Sequence, residues 1–218
     1  MNYLALTNTY ETIDIALYRA DHLITRLSLP KKQASKLLAQ TIKDTLGVAL
    51  LTLQDLSYIV VNQGPGPFTT LRVVIATVNG ISFASKVPLL GIDGLDALLH
   101  EARILQRPVI ALLNAFNHDV YFAIQDHEEL IKGYRNITAL LNEVLMRYPK
   151  ASLSFIGNGA HINKEIIQTI LGNHAQFPDA PEHCSVATIG ELSLTQRKDK
   201  SAFVAQIKPL YLKQSTSS

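Results

Sequence analysis

Residues 60–85, "VVNQGPGPFTTLRVVIATVNGISFAS", decide the prediction of the fold. They begin as an apolar strand, pass through a turn that contains Gly64 and Gly66, and continue as a long apolar helix. Many folds hold a phosphate where a strand leads through glycines into a helix, because backbone N–H groups point at the ligand there. The turn is therefore the first candidate for a phosphate site.

The number of available donors favours a structural turn instead. Pro65 and Pro67 each remove a backbone N–H. The sequence also lacks the Gly-Lys-Ser/Thr that completes a P-loop, and Thr69 stands where a dinucleotide loop needs a third glycine. Gly66 can form a tight turn, and Pro67 suits the first helical position, where a missing N–H costs nothing. The turn is predicted not to hold a phosphate by itself.

The helix predicted after the turn is apolar around nearly its whole circumference. A helix of this kind needs cover on more than one side. One side can be the chain's own sheet, and the second can be its own N-terminal helix or another protein, because exposed apolar patches often mark interfaces. The sequence leaves these two alternatives open.

The flanking residues predict an α/β fold in two parts. Residues 3–29 predict three antiparallel strands with short turns, and an amphipathic helix follows at residues 31–46. After Pro108 a hairpin, helices and strands recur in shortened form, with a last strand at residues 207–212. The predicted domains are 1–104 and 105–218, and the last segment of the second can pack back on the first.

Composition limits the class of protein. The chain has 218 residues, of which 47% are hydrophobic, and its net charge of +2 includes no basic tract, which argues against strong autonomous binding of nucleic acid. The single cysteine, Cys184, excludes an internal disulfide and fits a reducing compartment. The N-terminus has no signal-peptide pattern, and charged residues interrupt the apolar runs. A soluble, cytoplasmic protein is predicted.

The stretch that opened this section resembles the signature of the TsaB (YeaZ) family. That signature usually reads Gly-Pro-Gly-Ser-Phe-Thr-Gly-Leu-Arg-Ile-Gly and leads into a helix. The resemblance continues in residues 3–18, in the lead-in with Asp55 and Leu56, in "LLNAFNHDVYFAIQ" at 112–125, and in the closing "IKPLYLK". The chain is identified as a member of this family over nearly its whole length.

The resemblance implies a fold and a function. The family has an actin-like ATPase fold made of two ribonuclease-H-like domains with mixed sheets, the second of them reduced. Its members are non-catalytic components in the synthesis of threonylcarbamoyladenosine (t6A) in tRNA. Their partner TsaD carries the metal and transfers the threonylcarbamoyl group, and the small ATPase TsaE joins them.

The resemblance also implies particular contacts. The chain would be a homodimer when alone and would meet tRNA only through the assembly, away from any membrane. It would have no cofactor of its own, and ATP or ADP would bind where it meets TsaD. The family places its partner and dimer contacts on helices of the N-terminal domain, and the corresponding apolar side chains here are Leu71, Val74, Ile75, Val78, Ile81, Leu37 and Ile42.

Polar contacts to a nucleotide or partner are predicted for Thr7, Glu11 and Arg72. Thr7 and Glu11 lie in and after the first strand, at the hairpin that points towards a nucleotide in actin-like folds. Arg72 lies near the start of the apolar helix and could reach a carboxylate or a phosphate with bidentate geometry. No catalytic residue and no metal ligand are predicted, because the histidines do not pair at His-x-x-x-His spacing.

Several positions depart from the family pattern. Thr7 stands where the family usually has an aspartate, Gln33 replaces a frequent histidine, and Pro67, Thr70 and Val74 replace smaller residues. Loss of the aspartate removes a hard oxygen ligand for Mg²⁺ and argues against ATP hydrolysis by this chain alone. Two alternatives stay open: an actin-like ATPase or glycoprotease-like enzyme, and a homodimeric paralogue that has drifted from the pathway.

Overall fold

The structure is a computed structural model, and it describes residues 1–103, 105, 108–127 and 129–212. Helices and strands alternate along the chain, as the sequence predicts. The strands are β1 (Asn2–Asn8), β2 (Thr12–Arg19), β3 (His22–Pro30), β4 (Leu56–Asn62), β5 (Leu89–Ile92), β6 (Val109–Asn114), β7 (Asp119–Asp126), β8 (Glu129–Asn136), β9 (Leu153–Ile156), β10 (Ala175–Gln176) and β11 (Phe203–Val204). The helices are α1 (Ala34–Gly47), α2 (Phe68–Ser85), α3 (Gly94–Glu101), α4 (Ile137–Arg147), α5 (Asn158–Ile162), α6 (Lys164–Leu171) and α7 (Val186–Gln196).

The first compact unit consists of Met1–Ala97 and Cys184–Leu210. Its six-stranded sheet has the order β11-β5-β4-β1-β2-β3, in which β1 runs antiparallel to β2 and parallel to β4. Alternate residues of β1 face opposite sides of this sheet. Leu4 and Leu6 belong to the core shared with α1 and α2, whereas Tyr3 and Ala5 belong to the core shared with α7.

The second unit is formed mainly by Leu98–His183. Its five-stranded sheet has the order β10-β9-β6-β7-β8, with β6 and β9 parallel and the β6-β7-β8 meander antiparallel. One apolar core joins this sheet to α4 and α6. Both sheets are therefore mixed, as the two hairpins in the sequence indicate.

The structure differs from the sequence prediction in three places. The two units divide within α3 instead of at residue 104, and Cys184–Leu210 clusters with the N-terminal residues because β11 pairs with β5 and α7 covers the first sheet. The strand predicted at residues 207–212 is wrong, since these residues form no ladder. β8 was not predicted from the sequence, because it is an edge strand whose side chains are mostly polar.

Three tyrosines stack on the α7 side of the first sheet. Tyr3 lies between Tyr18 and Tyr58 on neighbouring strands, with ring centroids 5.0 and 4.8 Å apart. Gly190 lets α7 approach, because a Cβ there would lie 3.1 Å from ring carbons of Tyr18. Burial raises the pKa of all three phenols above the usual value, since the ionised forms would lose their hydration.

These raised pKa values predict a loss of stability at alkaline pH. The neutral phenols are favoured in the folded state, so their contribution is complete below about pH 10 and falls as the unfolded tyrosines ionise, by about 1.4 kcal/mol per tyrosine per pH unit. The free energy of unfolding, measured by urea titration between about pH 9 and 11, should therefore fall more steeply for the wild type than for the triple variant Tyr3→Phe/Tyr18→Phe/Tyr58→Phe. If the free energy of unfolding fell equally steeply with pH in both proteins, the three tyrosines would not have raised pKa values in the folded state.

Candidate functional site

The long apolar helix α2 is a core helix of the first unit. It begins after Pro67 and ends at Lys86, whose φ of 63° stops the helix. By length and composition it could cross a membrane, but Val74 and Val78 are wholly buried and pack in the same core as Leu38 of α1. Of the two alternatives that the sequence left open for the second side of α2, the structure shows packing against the chain's own N-terminal helix, α1.

The seven apolar residues predicted to form the interface occupy two different environments. Five of them lie in the unit's own core and are almost wholly buried: Leu71, Val74, Ile75, Val78 and Ile42. The other two, Leu37 and Ile81, are partly exposed at the edge of that core. These five side chains are therefore core residues of the first unit and not exposed interface residues. The sequence could not show this, because a helix that is apolar on every side gives no sign of which side chains face the chain's own sheet.

One row of the exposed surface of α2 carries three small residues in succession. Ala76, Gly80 and Ala84 follow one another at intervals of four residues and are all exposed. A Cβ added at Gly80 would meet no atom within 4 Å, so the space above this face is open. Residues four apart lie on the same side of a helix. This row forms a shallow strip, which we call the small-residue face and define as Ala76, Gly80 and Ala84. Exposed Phe83 lies next to it on the same helix.

An apolar groove lies beside Ile81, between α1 and α2. Its volume is about 450 Å³, and it is lined mainly by aliphatic side chains. The lining includes Ala39, Lys43 and Leu46 of α1, Leu51 and Leu53 of the following segment, and Ile81 of α2. Leu50, next to the groove along the chain, is almost fully exposed. Open apolar surface of this kind commonly marks a binding region.

The three predicted polar residues have separate surroundings. Thr7 is wholly buried, and its Oγ1 accepts a hydrogen bond of 3.2 Å from Asn62 Nδ2 and lies 3.6 Å from Cys184 Sγ. Glu11 is exposed and pairs with Lys31 at 3.0 Å. The guanidinium of Arg72 lies over the ring of Phe68, 3.8 Å from its centroid. Each of the three thus has a local partner of its own.

Asn8, which ends β1, was not among the predicted site residues. The residue is 5% exposed, and among the described residues neither Nδ2 nor Oδ1 has a hydrogen-bond partner. A Cβ added at Gly66 would lie 3.3 Å from Asn8 Nδ2, so this amide faces the turn that leads into α2. The signal in the sequence was a polar residue at the next inward position after Leu4 and Leu6.

The part of the chain that the structure describes offers no cluster of side chains suited to a metal ion. Within residues 1–103, 105, 108–127 and 129–212, no group of three or more His, Cys, Asp or Glu side chains is placed to hold a metal ion. The buried cluster of Thr7, Asn62 and Cys184 offers one soft sulfur and neutral oxygens, which do not suit Mg²⁺.

Solved structures show which class of protein this fold defines. A crystal structure from Pseudomonas aeruginosa, described as an uncharacterized protein with similarity to peptidase YeaZ, superposes with a TM-score of 0.75 at 21% identity and covers 97% of this chain and 99% of that one. YeaZ from the same organism superposes with a TM-score of 0.71 at 22% identity, over 97% of this chain and 100% of that one. The predicted class, an actin-like α/β fold with two mixed sheets, is confirmed.

Sequence relatives show the family. The family model of TsaD, tRNA N6-adenosine threonylcarbamoyltransferase, matches residues 28–216. The Bacillus subtilis tRNA threonylcarbamoyladenosine biosynthesis protein TsaB is 24% identical over 219 residues, which cover 98% of this chain and 94% of that protein. The chain belongs to the TsaD family and, as its signature predicts, to the TsaB (YeaZ) members of it.

Proposed function

We propose that this chain is a non-catalytic scaffold subunit for t6A modification of tRNA, which binds TsaD and holds it in an active shape. In this proposal it acts in the cytoplasm and joins TsaE and tRNA only through the assembly. It brings no cofactor of its own, and ATP or ADP binds where it meets TsaD. The observation that carries the proposal is the open small-residue face of α2, beside an apolar groove.

The shape of this face suits a helix as its partner. Small side chains let two helix backbones approach closely, and larger apolar side chains at the margin then fill the space between them. Ala76 and Gly80 provide the close approach, while Ile81 and the groove beside it provide the apolar margin. The contact would bury apolar surface that the isolated chain leaves in water.

The family relationship supports TsaD as the owner of that helix. The model that describes TsaD matches residues 28–216 of this chain, a range that includes both α1 and α2. TsaD is therefore expected to carry equivalent helices, and the two proteins can pack equivalent faces together, as the two subunits of an isologous dimer do. The same geometry lets two copies of this chain pair, so homodimer and TsaD complex compete for one face.

The surroundings of Thr7 support a role without catalysis. Its hydroxyl is engaged by Asn62 and lies against Cys184 at the position where the family pattern has an aspartate. An actin-like ATPase would need hard oxygen ligands for Mg²⁺ at this point. Negligible ATP hydrolysis is therefore expected from the isolated chain, and turnover by the pure protein would favour the enzyme alternative.

The test is to mix the chain with TsaD from the same organism and to weigh the products by native mass spectrometry. A one-to-one complex is expected for the wild type. Gly80→Leu should weaken that complex about tenfold or more, because the added side chain blocks close approach, while the fold gains about 0.5–1 kcal/mol from removal of a helical glycine. Weaker binding by a variant that is at least as stable as the wild type shows that the interface is lost. Weaker binding by a destabilised variant would instead indicate that the fold is lost.

Asn142→Leu is the matched control, because Asn142 is exposed on α4 of the second unit. This variant should bind TsaD like the wild type. Tight binding by Gly80→Leu would show that TsaD uses another surface. A persistent homodimer of the wild type with no TsaD complex would favour the drifted paralogue.

A further inference from the structure

We propose that the surface formed by α1, α2 and the chain after β11 selects an acidic helix as its partner and disfavours a second copy of this chain. This selectivity rests on the proposed function and adds the chemistry of the partner to it: the TsaD helix that packs on the small-residue face should be flanked by carboxylates. Two features carry the inference, a row of basic side chains beside that face and a shortage of carboxylates on the same elements.

The chain after β11 returns along α2 and is fixed there by side chains of the helix. Asn79 Nδ2 donates a hydrogen bond of 2.9 Å to the carbonyl oxygen of Ile207, and Asn79 Oδ1 accepts one of 2.9 Å from the Ile207 N–H. Ser82 Oγ donates to the carbonyl oxygen of Ala205 at 3.2 Å. Ile207 is buried in the core that α2 shares with the sheet. The next residue, Lys208, is exposed and is therefore held beside Asn79.

Three cations lie along this side of α2. Arg72, Asn79 and Lys86 follow one another at intervals of seven residues, which places them on one side of the helix over about 21 Å. Lys208 joins them at Asn79. We call Arg72, Lys208 and Lys86 the basic row, and all three residues are exposed. Arg72 also lies four residues before Ala76, so the basic row adjoins the small-residue face.

Aromatic rings support the two ends of the basic row. The guanidinium of Arg72 lies 3.8 Å from the ring centroid of Phe68. Lys86 Nζ lies 4.9 Å from the ring centroid of Phe83 and donates to the Phe83 carbonyl oxygen at 2.9 Å. Within residues 1–103, 105, 108–127 and 129–212, neither Lys86 nor Lys208 forms an ion pair. Carboxylates of a partner that covers the exposed ring of Phe83 could therefore pair with these cations.

Positive charge is concentrated on these elements. Together α1, α2 with its C-terminal cap, and residues 205–210 carry five cations and a single carboxylate, that of Asp44. The two cations outside the basic row are Lys36 and Lys43, both on α1, and Lys43 lines the groove beside Ile81. Since the whole chain has 20 Lys and Arg against 18 Asp and Glu, the rest of it is net negative.

Charge can therefore decide between two partners that the shape of the face allows. Packed helices lie about 8–10 Å apart, which is within the screening length of about 10 Å at 0.1 M salt. An isologous pair of this chain would bring two positively charged surfaces together, whereas a helix flanked by Asp or Glu would neutralise them. A row of only three cations offers RNA few phosphate contacts, and the neighbouring small residues suit a helix.

The salt dependence of the two assemblies tests this selection. The dissociation constants of the TsaD complex and of the homodimer are measured by sedimentation at about 0.1 and 1 M NaCl, between which the screening length falls from about 10 to about 3 Å. The dissociation constant of the TsaD complex should rise about tenfold, because attraction is screened. That of the homodimer should fall, because repulsion is screened.

A double variant locates the charge. Lys86→Gln/Lys208→Gln removes two exposed cations with little change of side-chain length. It should weaken the TsaD complex about fivefold or more at low salt, reduce its salt dependence and tighten the homodimer. The matched control is Lys150→Gln/Lys198→Gln, which changes the net charge equally at exposed positions in the second unit and after α7. It should bind like the wild type, and both variants should keep the wild-type midpoint in urea.

The possible failures are distinguishable. A TsaD complex that is equally tight at both salt concentrations and in Lys86→Gln/Lys208→Gln would overturn the selection by charge and leave the proposed function intact. A homodimer that salt weakens or leaves unchanged, or that is absent throughout, would overturn the self-repulsion. Absence of any TsaD complex would overturn the proposed function, and with it TsaD as the acidic partner. Binding of isolated tRNA that is lost in Lys86→Gln/Lys208→Gln would assign the basic row to RNA instead.

Discussion

Val78→Asp is expected to unfold the first unit. Val78 is wholly buried on the inward face of α2, in the core that α1 and the sheet share. A carboxylate placed there without a partner costs several kcal/mol, to which the lost apolar contacts add. Since whole domains are stable by only about 5–15 kcal/mol, little stability would remain. Ile75→Asp, about five-sixths of a turn away and nearly as buried, should act in the same way.

The comparison with Ala76→Asp makes this result informative. Ala76 lies two residues from Val78 on the same helix, but its side chain is exposed on the small-residue face. Urea unfolding followed by circular dichroism should show a folded protein for Ala76→Asp and a lost or strongly lowered midpoint for Val78→Asp. Failure of Val78→Asp to bind TsaD would then report unfolding, whereas failure of Ala76→Asp would report the interface. An unchanged midpoint for Val78→Asp would contradict the assignment of the core.

The second large effect is expected for Gly157→Ala in the second unit. Gly157 follows β9 with a φ of +88°, a region that residues with a Cβ rarely adopt. An added Cβ would also overlap the carbonyl oxygen of Leu112 in the neighbouring strand β6. Backbone atoms cannot give way as a flexible side chain can, so β6 and the end of β9 would have to separate. We expect a loss of more than about 3 kcal/mol, because the overlap adds to the roughly 1–3 kcal/mol that this glycine-specific backbone conformation costs alone.

Gly172→Ala separates the two causes. Gly172 also has a positive φ, of 54°, but a Cβ there would meet no atom within 4 Å. It should therefore cost about 1–3 kcal/mol, from backbone conformation alone. Hydrogen exchange of the amides in β6 and β9 should quicken in Gly157→Ala and stay near the wild-type rates in Gly172→Ala. Equal protection in both variants would show that the close approach to Leu112 is unimportant.

Local patterns were sufficient to predict much of the first unit. Strands β1 and β2 combine apolar residues with short turns, and α1 and α2 show helical periodicity with glycine or proline at their ends. Each of these signals lies within about 20 residues of sequence, so one sequence can reveal it. The turn before α2 was placed correctly, but Pro67 lies at the N-cap of the helix and not at its first helical position, which Phe68 occupies.

Contacts between distant segments explain what the sequence could not predict. The inward face of α2 depends on which residues of α1 and the sheet it meets, and helical periodicity gives no direction when every side is apolar. The strand β11 has only two residues and exists because β5 offers an edge. Asn8 illustrates the same limit, since its position against Gly66 arises only when β1 and β4 pair.

The return of the chain to the first unit at Cys184 has a consequence for its synthesis. Residues 98–183 must all be synthesised before α7 is made, which takes roughly 4–17 s at roughly 5–20 residues per second. During that interval the nascent first sheet has α1 and α2 available on one side, while the tyrosine stack on its other side is without the helix that covers it. The growing polypeptide is therefore most exposed to chaperones and to aggregation on this face until its final segment emerges.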